Sequence, residues 1–221
     1  MTTPIRQTFD EQLAALQQDV VRMGSLAAQA VHTAMQVLTD HKAELVDQVM
    51  EIENQIDALN LSIESRAVQL LAMQQPMARD LRTITAVLRI ITDVERIGDY
   101  SVDTSTQARA LAGQQLMKPL VDLPLMAGLV ERMLHDSLKA FVDRDLELAM
   151  QAVQADDEVD HAYRTMHAEL IGYIERDPRL AAQAISLLLI GTYLERMADH
   201  VTNISERVWF METGELKELH E

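Results

Sequence analysis

The sequence predicts an all-α protein of six long helices arranged as two tandem three-helix bundles, and three observations carry that reading. Aromatic residues make up only 4% of the chain, while Ala, Leu, Gln, Glu and Met abound, a composition that favours helix over sheet. Breakers are scarce, with seven Gly and five Pro in 221 residues. The third observation is an internal repeat. Residues 30–57 align with 133–160, pairing His32 with His135, Asp40 with Asp143, Glu44 with Glu147, Leu45 with Leu148, Gln48 with Gln151 and Asp57 with Asp160.

The first helix is predicted over 6–38 and stops at Thr39-Asp40. The second covers 42–73, ahead of the break at Gln75-Pro76. The third covers 77–112, with Pro76 suited to a first helical turn, where its missing N–H costs nothing. Gly113, Pro119 and Pro124 mark a linker, which sets the halves at 1–114 and 115–221. The remaining helices are expected over 123–142, 145–175 and 178–212, the last preceded by Asp177-Pro178 and closed by Thr213-Gly214. Asp40, Asp143 and Asp177 are the expected N-caps or turn formers.

Charge narrows the function. Nineteen Lys and Arg stand against 35 Asp and Glu, a net charge of −16, so phosphate backbones and anionic lipid heads repel the chain. Cations or basic protein surfaces suit it better, and no nucleic-acid partner is expected. The absence of Cys excludes disulfides and thiolate metal sites. The longest apolar run, ISLLLIGTYL at 185–194, is half of the roughly 20 residues a membrane span needs, and reads as buried helix. No basic, then apolar, leader opens the sequence, so a cytoplasmic location without membrane insertion is expected.

The most informative residues are ERIGDYSVD at 95–103 and its echo ERMADHVTN at 195–203. With 100° per residue counted from Leu81, the apolar arc of the third helix runs from about 220° to 340°, and Glu95 falls near 320°, inside it. Asp99 lies at the edge of that arc and Asp103 borders the charged face. Glu195, Asp199 and Asn203 repeat these positions in the sixth helix, with Glu206 extending the row. Like charges four residues apart repel, and burying them uncompensated is costly. Arg96 and Arg196 lie about 100° round the helix from the neighbouring Glu, an awkward angle for a bridge along the same helix. A solvated acidic face is the plain alternative, but recurrence at the same angle in both halves favours a cation. Carboxylates one turn apart, about 6 Å along the axis, can converge on a hard ion such as Mg, Mn, Ca or iron. Glu53 with Asp57, and Asp156 with Asp160, form a second recurring pair that could support each row from a neighbouring helix. His200, beside Asp199, is a weaker ligand candidate on the charged face.

The chain resembles the PhoU family through QQPMARDLR at 74–82, DVERIGD at 93–99, DDEVDHAYR at 156–164 and YLERMADHVTNISE at 193–206. The resemblance covers nearly the whole chain. It implies metal ions (iron, zinc, manganese or magnesium) held at Glu95, Asp99 and Asp103 and at Glu195, Asp199 and Asn203. It also implies a homodimer that restrains phosphate uptake and phosphate-starvation signalling by contacting the transporter's ATPase subunit and a sensor histidine kinase. No catalytic residue is implied. The halves depart from one another where Met197-Ala198 replaces Ile97-Gly98 and where Asn203 and Glu206 replace Asp103 and Thr106, so the two sites are expected to differ. A ferritin-like di-metal oxidase is the enzymatic alternative, but it needs two Glu-x-x-His pairs and the chain has only Glu158-Val-Asp-His161. A metal-free scaffold for Arg-rich partners is the third reading. Hydrolase chemistry lacks both a Gly-rich phosphate loop and a Ser elbow.

Overall fold

The computed structural model describes residues 4–74 and 76–219, and among them it contains only helices and turns. The helices are α1 (Pro4–Thr39), α2 (Leu45–Gln74), α3 (Arg79–Leu111), α4 (Asp122–Asp143), α5 (Leu146–Gln154), α6 (Asp156–Arg176) and α7 (Ala181–Thr213), with a 3-10 turn at Pro178–Leu180 before α7. The fifth predicted helix is thus two pieces, α5 and α6. They meet at Ala155, whose φ of −70° and ψ of −15° shift the hydrogen bonding without reversing the chain.

Helix ends also differ in detail from expectation. Asp143 closes α4 instead of capping the next helix; Asp145 is the cap, its side chain accepting from the N–H groups of Glu147 and Leu148 at 3.0 Å each. Asp40 is occupied by Thr39 and Lys42. Asp177 caps the 3-10 turn as expected, accepting from Arg179 N–H with Pro178 behind it. Pro76 lies outside a helix, because α3 starts only at Arg79, and Gln75 lies outside the described residues. The repeat is visible in the turns. His41 and Arg144, equivalent by the alignment, both adopt the left-handed conformation, at φ 56° and 59°.

Packing joins the halves. α1, α2 and α3 pack on one another, as do α4, α5, α6 and α7, while α3 also packs along α7 and α1 along α4. The inner helices therefore close a ring in the order α1, α3, α7, α4, flanked by α2 on one side and by α5 and α6 on the other. One continuous apolar core fills it, from Leu16, Met23 and Ile56 through Ile90 and Ile97 to Phe141, Leu194 and Val208. Burial of this kind, at about 25 cal/mol per Å² of apolar surface, is the main force that holds the helices together.

At the α1–α4 crossing Leu138 packs so closely over Gly24 that a Cβ there would lie 2.1 Å from Leu138 Cδ1. Gly24→Val should therefore destabilise the protein by about 1–3 kcal/mol, through overpacking. Adding Leu138→Ala should restore part of that loss in chemical denaturation; independent, additive losses would disprove the contact.

Candidate functional site

The acidic rows occupy the same place in each half. On α3, Glu95 and Asp99 are half-buried and Asp103 is exposed; on α7, Glu195 is half-buried and Asp199 exposed. The glutamates and Asp99 are partly sunken as the helical wheel placed them, Asp103 is exposed as its place beside the charged face implies, and Asp199 is more exposed than the arc-edge position suggested.

Each row faces a second pair of acids. Glu95 is pushed above the ordinary 4.5 by burial, then by the charges of Asp99 and of Asp57 on α2; Arg96 and the 2.9 Å hydrogen bond from Asn60 Nδ2 pull the other way without prevailing. Glu53 on α2 is raised by burial, then by Asp57, Asp99 and Glu95. In the other half Glu195 is raised by burial, then by Asp199, Asp160 and Asp156, the last two on α6. Asp103, although exposed as a residue, is raised by partial desolvation of its carboxyl group and then by the charge of Asp99. The supporting pairs Glu53/Asp57 and Asp156/Asp160 thus stand beside the rows, and their recurrence at i, i+4 was the signal that found them. The acids are near enough to perturb one another, yet among the described residues no three Asp, Glu or His side chains converge on a point where they could hold one ion.

One expectation requires correction. Arg96 does bridge along its own helix, Nη1 donating to Asp99 Oδ2 at 3.0 Å, because the i, i+3 partner lies within reach where the adjacent Glu95 does not. Arg196 instead crosses to Tyr100, at 3.4 Å from the phenol oxygen. Asn203 uses its amide nitrogen across the seam, Nδ2 donating to Asp93 Oδ1 on α3 at 3.2 Å. His200 joins the same carboxylate through Nδ1 at 2.9 Å. Asp93 was not singled out from the sequence, and neither were Tyr100 and Tyr193, whose rings stack at 5.9 Å across the α3–α7 seam.

The remaining motif residues are structural. In QQPMARDLR, Arg79 donates to Glu212 at 2.8 Å and Arg82 Nε to the Met211 carbonyl at 3.1 Å, and Arg144 also binds Glu212, so the start of α3 is tied to the end of α7. Glu158 and His161 are both exposed on α6, which removes the basis for a ferritin-like centre built inward from that pair. No described helix is long and apolar enough to cross a membrane.

This arrangement of paired bundles with matching acidic helices has relatives. The PhoU domain pattern matches residues 20–108 and again 123–208. The chain belongs to the PhoU family. A phosphate-specific transport system accessory protein PhoU homolog from Clostridium acetobutylicum is 32% identical over 98% of this chain and 99% of its own length. One from Xylella fastidiosa is 34% identical over 96% and 89%. Among solved structures, PhoU from Pseudomonas aeruginosa superposes with a TM-score of 0.90 at 32% identity, covering 94% of this chain and all of that one. The phosphate transport system regulatory protein PhoU from Streptococcus pneumoniae gives 0.88 at 30% identity, covering 95% and 99%.

The acidity of the PhoU rows sets a pH dependence. Glu95, Glu53 and Glu195 hold their protons more tightly when folded, so the native state binds more protons than the unfolded chain as pH falls from neutrality toward 4.5. Stability is gained through that window on acidification and lost as pH rises through it. In chelator, the melting temperature should rise from pH 7 to about pH 5, and Glu95→Gln with Glu195→Gln should raise the pH 7 value and flatten the slope. An unchanged slope in the double variant would contradict this assignment.

Proposed function

We propose that the protein is a metal-binding accessory protein of phosphate-specific transport, acting in the cytoplasm by protein contact to restrain phosphate uptake and starvation signalling. The observation that carries the metal reading is the pair of equivalent carboxylate clusters, one in each half, in which burial and then the neighbouring carboxylates hold Glu95 and Glu195 above the usual carboxylate range. A hard cation relieves that crowding. The donors are oxygens, as magnesium, manganese, iron or zinc accepts, and no thiolate is present to select a softer ion. Glu95, Asp99 and Asp103 with Glu53 and Asp57 would hold the ion in the first half. Glu195 and Asp199 with Asp156 and Asp160 would hold it in the second, Asn203 contributing through its carbonyl oxygen. The transport role rests on family membership and on the names of the relatives: two are called accessory proteins of the phosphate-specific transport system and a third a phosphate transport system regulatory protein. Contact with the transporter's ATPase subunit and a sensor histidine kinase, and a homodimeric assembly, belong to the same proposal.

Divalent ions should stabilise the native state by about 2.7 kcal/mol at a hundredfold excess over the dissociation constant, read as a rise in melting temperature. Glu95→Gln with Asp99→Asn should remove the share of bound metal due to the first half, measured by elemental analysis of protein purified without chelator. Protein that carries no metal and melts identically with and without manganese, iron or zinc would end the metal reading. Capture of the purified ATPase subunit by the purified protein tests the partner, and sedimentation tests the dimer.

A further inference from the structure

The chain does not stop where α7 stops. Gly214, at φ 79°, ends the helix with its N–H on the Phe210 carbonyl at 2.8 Å, a conformation that glycine adopts without strain. The chain then turns back along α7, with Glu215 N–H on Thr213 Oγ1 at 3.1 Å. Lys217 places its ammonium 5.8 Å from the centre of the Trp209 ring, and Leu219 N–H donates to Glu206 Oε1 at 3.0 Å. Glu206 is only 8% exposed. Between α7 and this returning segment lies a cleft of about 560 Å³ lined by Asn203, Glu206, Arg207, Leu216, Lys217 and Glu218.

The segment is lightly held. Residues 213–218 are exposed, Leu216 by 73%, and among the described residues the Leu219 N–H bond and the Lys217 cation–π contact link the segment to the side chains of Glu206 and Trp209. Two donors on the same stretch of α7, Arg207 Nε and Trp209 Nε1, are buried without a hydrogen-bond partner among the described residues. Opening would let water reach such donors, whereas closing keeps them dry. Segments with few buried apolar contacts and exposed backbone open well below the global unfolding free energy.

We propose that residues 214–219 form a detachable strap, hinged at Gly214, that masks Glu206 and Trp209 when closed and uncovers the last turns of α7 when it swings away. Glu206 extends the acidic row of the second half, so the strap controls access to the end of that row. Its position at the α7 terminus, close to Arg82 at the start of α3, places it beside the junction of the two halves.

Trp209 is the only tryptophan in the chain and reports the strap directly. A chain ending at Gly214 should show red-shifted Trp209 emission and about twofold stronger acrylamide quenching, with helix content and melting temperature unchanged. Gly214→Val in the full chain, which disfavours the positive φ of the hinge, should produce the same emission change. In the unmodified full chain, quenching should rise at denaturant concentrations below those that reduce helix content. Equal quenching in the truncated and full chains would show that the segment does not cover Trp209. Truncation that lowers helix content and melting temperature together, or quenching that rises only with global unfolding, would show that it is an integral part of the fold. Either result overturns the proposal.

Discussion

The packing of α3 against α7 is the constraint on which the rest of the molecule depends. Earlier residues of α3 meet later residues of α7, as in the contacts of Arg82 with Met211, Asp93 with His200 and Tyr100 with Tyr193, so the two helices run antiparallel. In the repeat, Asp93 corresponds to Tyr193 and Tyr100 to His200. The Asp93–His200 and Tyr100–Tyr193 contacts therefore occupy equivalent places about a pseudo-twofold axis through the seam. Two copies of one helical unit have packed on each other by the same face, and the α1–α4 crossing closes the ring on the far side. Closure explains why one apolar core serves both halves.

Such a frame sets the electrostatic problem it carries. Because the third helix of each unit sits between the seam and an outer helix, the flank carrying Glu95 or Glu195 turns toward α2 or α6. That is where Glu53 and Asp57, or Asp156 and Asp160, add their charge. The acids are held together by apolar packing that is indifferent to them. At an effective dielectric of about 20, two charges 4 Å apart still interact by roughly 4 kcal/mol, so such crowding matters even for half-exposed groups, although solvent screens it. In the first half Arg96, bonded to Asp99, and Asn60, bonded to Glu95, offset part of this crowding and still leave Glu95 raised.

Much of this was legible in the sequence because it depends on period and composition. The all-helical class, the repeat and the placement of Glu95 and Glu195 within the apolar arc follow from 3.6-residue periodicity, which the structure obeys over the long helices α1, α2, α3 and α7. What escaped depends on non-local geometry. The break at Ala155 carries neither Gly nor Pro, and the cap moved from Asp143 to Asp145 because Arg144 takes the left-handed turn. The partners of His200 and Asn203 could not be read at all, since a helical wheel shows which face a residue occupies and not which residue lies opposite it. On a helical wheel of α3 alone Asp93 falls on the charged face, a position that says nothing of the contacts α7 makes with it.

The seam also accounts for the difference between the rows that the sequence left open. Position 203 lies opposite Asp93, a carboxylate with 15% side-chain exposure that already accepts from His200. A second carboxylate there would face the first at close range, whereas the amide of Asn203 supplies a donor and removes a charge. Position 103 lies opposite Tyr193, a neutral phenol whose acidity the nearby Asp103 charge only weakens further, so an aspartate is tolerated. The exchange of Asp93 for Tyr193 between the halves thus dictates the exchange of Asp103 for Asn203. On this argument the asymmetry at the row ends arises from helix–helix packing, and it divides the pseudo-equivalent contacts into one polar and one aromatic.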